Sequence, residues 1–173
     1  QRGQLIVPTG GGKTMCMITD AISQFNSSNN TIVVVAPRIL LTQQLCEDFL
    51  EMIGLNDLSV RVLHVHSGDT AHESTTKPAH IYDWAVQTWK RNRIIFTTYH
   101  SLHKVQESGV KVDTIYFDEA HNSVQRNFFP ATEFFSNEAQ RCYFYTATPK
   151  HSLSIFKPGM NDGAVYGQVI CNV

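Results

Sequence analysis

The sequence has no cysteine pair at CxxC spacing; Cys16, Cys46, Cys142 and Cys171 stand far apart. A zinc ribbon and a disulfide scaffold are therefore disfavoured, and reduced intracellular thiols are the simpler reading. No apolar run approaches the roughly 18–20 residues of a membrane-spanning helix. Nothing at the amino terminus has the order of a signal peptide. Neither sign of charge is in excess: Lys plus Arg number 14 and Asp plus Glu 15, a formal net charge of −1. A strongly basic module of histone-arm type is excluded, and no global charge points to nucleic acid or membrane. Internal repeats, heptads and charged tails are also missing. What remains is a chain of 173 residues, 42% hydrophobic and 17% charged, a composition that folds around a core rather than staying disordered. It reads as one domain over residues 1–173. Because it opens on Gln1-Arg2-Gly3 and runs straight into an apolar strand, it also reads as a piece of something longer.

Short apolar runs rich in β-formers predict strands at Gln4–Val7, Thr31–Ala36, Val60–His66, Arg93–Thr97, Val112–Phe117, Arg141–Tyr145 and Val165–Ile170. Several are continuously apolar, as in Ile32-Val33-Val34-Val35, the mark of a strand covered on both faces. Between them lie helical patterns. Leu41, Leu45 and Phe49 recur at four-residue spacing, and Ile81, Trp84, Ala85 and Trp89 form a second apolar stripe, both expected to face the core. Repeated βαβ units predict an α/β fold with a mainly parallel central sheet of about seven strands flanked by helices. The polar stretches 26–30 and 67–79 are expected to be connectors, the second long enough for a mobile surface insert.

Directly after the first strand comes Val7-Pro8-Thr9-Gly10-Gly11-Gly12-Lys13-Thr14, and then the helical pattern Met15–Ile22. Strand, glycine loop and helix opening on Lys-Thr is the context of a nucleotide phosphate loop. Glycines let successive N–H groups turn toward phosphate oxygens, and the helix amino end carries partial positive charge. In that reading Lys13 reaches the β and γ phosphates and the Thr14 hydroxyl ligates Mg²⁺. A plain glycine turn is the competing reading, and Val7 stands where the strict pattern has glycine. Further on, the strand Val112–Phe117 runs into Asp118-Glu119-Ala120-His121. Adjacent carboxylates at a buried strand end require positive charge nearby. A Mg²⁺-nucleotide would supply it, with Asp118 holding the metal, partly through water, and Glu119 orienting and deprotonating the attacking water. The competing reading is an acidic helix cap.

PTGGGKT at Pro8–Thr14, APRILLTQQL at Ala36–Leu45, TTYHSL at Thr97–Leu102, DEAH at Asp118–His121 and TATP at Thr146–Pro149 follow in order. Together they resemble the first, N-terminal RecA-like motor domain of superfamily 2 DEAH-type helicases and translocases. The resemblance is strongest to the restriction-enzyme-type branch, which includes type I and type III restriction motors and related viral, phage and bacterial helicases. It covers nearly the whole chain, to about Pro149. It implies a P-loop NTPase fold, ATP as nucleotide, and a helicase or translocase that couples ATP hydrolysis to movement along nucleic acid, DNA being favoured over RNA. It also implies that Pro37, Arg38, Thr98 and Ser101 meet the nucleic-acid backbone, although many relatives carry Thr where this chain has Arg38. His121, Thr146 and Thr148 would couple nucleotide state to strand grip, with core packing as the alternative for the Thr146–Thr148 stretch. The family's second RecA-like domain and its adenine-recognition segment would lie outside this chain. The fragment alone is therefore expected to hydrolyse ATP very slowly. An ATP-switched nucleic-acid sensor, or a restriction-complex translocase that does not unwind, fits the same motifs.

Eight histidines raise a metal question. His64 and His66 are two apart on a strand, and His100 and His103 three apart on an expected helix, with no third ligand at zinc spacing; surface or strand-end positions are the expected outcome. Arg126, Phe128 and Phe129 could offer a stacking surface to bases or could pack the domain.

Overall fold

Helix and strand alternate along the chain because each apolar run of four to six residues is cut off by a polar turn before a helical pattern begins. The computed structural model describes residues 1–8 and 12–172. Its elements are β1 (Arg2–Ile6), α1 (Lys13–Ser27), β2 (Thr31–Ala36), α2 (Ile39–Leu55), β3 (Arg61–Val65), α3 (Pro78–Gln87), β4 (Arg93–Thr98), α4 (Leu102–Ser108), β5 (Thr114–Phe117), a 3₁₀ turn (Ala120–Val124), α5 (Phe129–Glu138), β6 (Arg141–Thr146), α6 (Gly163–Tyr166) and β7 (Gln168–Asn172). The seven strands form one sheet in the order β3-β4-β2-β5-β6-β1-β7, and every pairing is parallel.

The continuously apolar β2 is buried at every position because its residues divide between two cores. Ile32 and Val34 pack with Met17, Ile18 and Phe25 of α1 and Leu45, Phe49 and Ile53 of α2. Val33 and Val35 pack on the opposite face with Ile81 and Trp84 of α3, Leu102 and Val105 of α4 and Phe135 of α5. Apolar side chains on both faces of a strand are what a sheet sandwiched between helices demands. The seven-stranded α/β expectation therefore stands. No helix among the described residues is long and apolar enough to cross a membrane.

Several local expectations are corrected. Trp89 does not join the core stripe: it is 70% exposed. Helix α3 stops at Gln87, the Thr88 hydroxyl donates to the Trp84 carbonyl at 2.7 Å, and Lys90 at φ 62° turns the chain, which leaves Trp89 outside. The expected strand Val165–Ile170 splits. Asp162 caps the short α6 by accepting from the Ala164 N–H at 3.0 Å, so Val165 and Tyr166 are helical. Gly167, at φ 68°, then turns the chain into β7. A Cβ at Gly167 would come within 2.7 Å of the Arg2 carbonyl oxygen, so both conformation and space require glycine there. Strand β5 starts at Thr114 rather than Val112 because the Asp113 carboxylate itself accepts the Thr31 N–H at 2.9 Å, taking a rung of the ladder. His100 precedes α4 rather than lying in it.

The stretch 67–79 is tied to the sheet's outer edge. His64 N–H donates to the Glu73 carbonyl and Thr75 N–H to the His64 carbonyl, both at 2.9 Å. His64 and His66 are buried, not on the surface. The Gly68 N–H donates to His66 Nδ1 at 3.1 Å, which puts the proton of a neutral His66 on Nε2. That Nε2 lies 3.0 Å from His64 Nδ1, so His64 carries its own proton on Nε2. Among the described residues no group of three or more metal-ligating side chains forms.

Burial, with the neighbouring His66 and His72, pushes the His64 pKa down from 6.5 to about 4, and burial lowers that of His66. The unfolded chain thus binds more protons than the folded one between those values. The histidine contribution to stability is complete above the ordinary histidine pKa and is lost as pH falls toward 4. Loss of roughly 3 kcal/mol of unfolding free energy between neutral pH and about pH 4 is expected from His64. Denaturant midpoints across that range should show a shallower slope for His64→Gln than for the parent.

Candidate functional site

Sheet order, not sequence order, assembles the site. Strands β5, β6 and β1 are neighbours, in a register that pairs Phe117 with Phe144 and Ile6 with Thr146. Their carboxyl ends therefore deliver Asp118-Glu119, Thr146 and the start of α1 to one edge, where ligands of parallel α/β sheets bind. Lys13, the first residue of α1, places its Nζ 3.0 Å from Asp118 Oδ1 and donates a short hydrogen bond to Glu119 Oε1. Gly12, at φ 84°, precedes the helix without a side-chain cap. A Cβ there would meet nothing within 4 Å, so conformation alone selects glycine. The helix thus begins without a side-chain cap, at an amino end whose partial positive charge attracts anions. Thr14, half-buried, sits in the first turn. Pro8 lies exposed after β1. Thr9, Gly10 and Gly11 of the expected phosphate loop lie outside the described residues.

The carboxylates do not cap a helix. Glu119 occupies the residue before the 3₁₀ turn without a side-chain cap bond, in the left-handed region at φ 50°, ψ 52°, a conformation costly for a residue with a Cβ. Asp118 is 4% exposed, and burial raises its pKa, with Lys13 opposing. Burial also works against the Lys13 ammonium, but the Glu119 hydrogen bond and the Asp118 charge outweigh it and hold the Lys13 pKa above the ordinary value. Among the described residues Asp118 Oδ1 makes no hydrogen bond although it is shut off from solvent; its contact with Lys13 is charge proximity without bonding geometry. One ammonium facing two carboxylates leaves a net negative site.

His121 and Thr146, far apart in sequence, do meet: His121 Nδ1 is 2.9 Å from Thr146 Oγ1 and 3.9 Å from Glu119 Oε2. The Thr148 N–H donates to the same Thr146 oxygen at 3.1 Å, with Thr146 buried and Thr148 exposed. The other four expected contacts lie on the same edge beyond β5. Pro37 is half-buried and Arg38 exposed ahead of α2, Thr98 is buried at the end of β4, and Ser101 is half-buried ahead of α4. The pairing of Ala36 with Thr98 brings those two loops side by side. Thr98, at 5% exposure, presents little side-chain surface. Phe128 and Phe129 pack the domain: Phe128 stands edge-on to His100 at 4.9 Å and near Tyr99 at 5.7 Å, and Phe129 lies against Tyr166.

Residues 1–151 match the family model described as type III restriction enzyme, res subunit. The chain belongs to that family. A nuclease-deletion mutant of the type ISP restriction-modification enzyme LlaGI, solved with a DNA substrate mimic, superposes with a TM-score of 0.78 at 24% identity, over 99% of this chain and 18% of that one. The Hef helicase domain of Pyrococcus furiosus gives 0.67 at 22% identity, over 97% of this chain and 35% of that one. The UvsW helicase of bacteriophage T4 gives 0.66 at 15%, over 98% and 54%. These likenesses establish the fold, and the chain spans about half or less of each of those proteins. A search of curated proteins gave no significant match.

Within this family domain, Tyr99 is a residue that motif spacing did not single out. Its hydroxyl, fully buried, donates to the Asp118 carbonyl at 2.7 Å, linking the end of β4 to the carboxylate loop. Asp20 is another: it accepts from Tyr116 at 2.5 Å and from Arg141 at 2.6 Å, fastening α1 to β5 and β6. No local pattern signals either, since both partners are distant in sequence. Tyr99→Phe keeps the ring packing but strands the Asp118 carbonyl, and a loss of about 1–3 kcal/mol in unfolding free energy is expected by denaturant titration.

Proposed function

We propose that this chain is the ATP-binding motor domain of a nucleic-acid translocase or helicase acting on DNA, with residues 1–173 forming one RecA-like unit that works against a second such domain. The observation that carries this reading is the meeting of Lys13, Asp118 and Glu119 at the carboxyl ends of three adjacent strands. Lys13 and the uncapped start of α1 would bind the nucleotide phosphates, together with the glycine loop. The buried Asp118 Oδ1, without a hydrogen bond among the described residues, fits a hard cation, and Thr14 and Asp118 would hold Mg²⁺. Bound there, Mg²⁺ supplies positive charge against the phosphates and the carboxylate pair. Glu119 would accept the proton of the attacking water, its backbone conformation aiming the carboxylate at the edge. His121 and Thr146 would transmit the state of Glu119 toward Thr148, and Pro37, Arg38, Thr98 and Ser101 would meet the strand's phosphates on the neighbouring half of the edge.

In the full-length protein, Glu119→Gln should lower ATP turnover by about 10²–10⁴-fold while nucleotide affinity holds; unchanged turnover would refute the assigned base. Lys13→Ala should weaken binding itself, seen by calorimetry with an ATP analogue and Mg²⁺. Stimulation of ATPase by DNA but not RNA, measured on the same protein, tests the substrate class. Residues 1–173 alone should turn over slowly, because charge from a second domain, worth about 10³–10⁵ in related phosphate-loop enzymes, is not supplied here.

A further inference from the structure

Helix α3 is apolar on two faces. Ile81 and Trp84 point into the core, while Tyr82, Val86 and Trp89 stand outward at 55%, 58% and 70% exposure. Tyr82 and Val86, four residues apart, share one stripe of the helix. The stripe borders a groove of about 280 Å³ between α3 and the turn before β5, lined also by Ala85, Arg93, Val110 and Lys111. Trp89, just beyond the helix end, lines the same groove. The charged residues lining this groove are both cationic. A third cation, Lys90, lies 4.6 Å over the Trp89 ring.

We propose that this groove docks an acidic amphipathic helix of a protein partner. Its apolar stripe would fill the groove, as in helix-in-groove recognition, and its flanking carboxylates would meet Lys111 and Lys90. Single-stranded nucleic acid is the lesser fit. Ala85, Val86 and Val110 give an aliphatic floor, and the Arg93 guanidinium is already committed to the Thr31 hydroxyl at 2.9 Å and the Ala85 carbonyl at 2.7 Å. That leaves few cations for a phosphate track. The groove adjoins Arg93, where β4 begins, and Lys111, just ahead of β5. It thus lies at the opposite end of the sheet from Lys13 and Asp118. Docking there leaves the nucleotide edge open and is independent of the ATP reading.

Trp84 is 2% exposed, so acrylamide quenching of the whole chain reports chiefly on Trp89. Two tryptophan-free synthetic helices serve as probes, identical in their leucine stripe, one flanked by glutamates and the other by lysines. The glutamate helix should protect Trp89 several-fold and saturably, less so at high salt, and the lysine helix should not. Val86→Asp should abolish protection, and Lys111→Glu should favour the lysine helix. Both positions line the open groove, and circular dichroism checks that each variant is folded. Equal protection by both helices, protection by neither, or stronger protection by a single-stranded oligonucleotide would overturn the proposal.

Discussion

A carboxylate at the end of a buried strand is the constraint on which the rest of this structure depends. Asp118 is almost fully enclosed, and a charge in that position persists only if an opposite charge is held against it. The sequence has no cation near Asp118 in the chain to do this. Lys13 arrives instead from the far end of the chain, and it can do so only because β1 enters the sheet beside β6, which itself lies beside β5. The parallel register fixes the height at which α1 starts, and hence the reach of the lysine. The left-handed backbone at Glu119 then turns the second carboxylate toward the same ammonium. A strained residue of this kind survives where its surroundings hold it, and here the Tyr99 hydroxyl on the Asp118 carbonyl and the Asn122 amide on the Glu119 carbonyl at 2.9 Å do so.

The same edge joins two sets of loops through hydrogen bonds rather than through chain continuity. On one side the Val7 N–H donates to the Thr146 carbonyl at 2.9 Å, while the Thr146 side chain meets His121. Val7 after β1, the end of β6 and the turn after β5 are thus joined by hydrogen bonds. On the other side Tyr99 follows β4, its N–H bonded to the Ala36 carbonyl at 3.2 Å and its hydroxyl to Asp118. A displacement of the β4 loop would therefore reach the carboxylate pair through one buried tyrosine. In a domain proposed to relate nucleotide state to strand grip, that is a physical connection between the two halves of the edge, not mere proximity.

Much of this was legible in the sequence, for reasons that differ from residue to residue. Continuous apolar strands such as Ile32–Val35 declare a sheet covered on both faces. A glycine loop between strand and helix declares where Lys13 must sit. Motif order implies that Asp118, His121 and Thr146 lie near one another, and His121 does meet Thr146. The misses fall where local patterns are cut short by events beyond their window. Trp89 has helical spacing, but the Thr88 hydroxyl and the turn at Lys90 end the helix first. Val165 and Tyr166 look like strand until Asp162 caps a helix turn ahead of them. His64 and His66 look like surface or strand-end histidines; they do lie at the end of β3, but the stretch 67–79 folds back and buries them. Tyr99 and Asp20 owe their roles wholly to partners brought close by the sheet, and no spacing rule reaches that far.

The electrostatics of the edge also limit how it could be occupied. One ammonium and two carboxylates leave a negative balance at a place where Asp118 has almost no access to water. A triphosphate that drew Lys13 to itself and brought only negative charge would leave two carboxylates facing each other and facing the phosphates, in surroundings where such repulsion is poorly screened. On the proposed reading, Asp118 Oδ1, which has no hydrogen bond among the described residues, and the Thr14 hydroxyl would offer a hard cation the oxygen ligands it prefers. Nucleotide and cation therefore enter together on that reading, the cation offsetting the charge that the triphosphate adds beside Asp118 and Glu119.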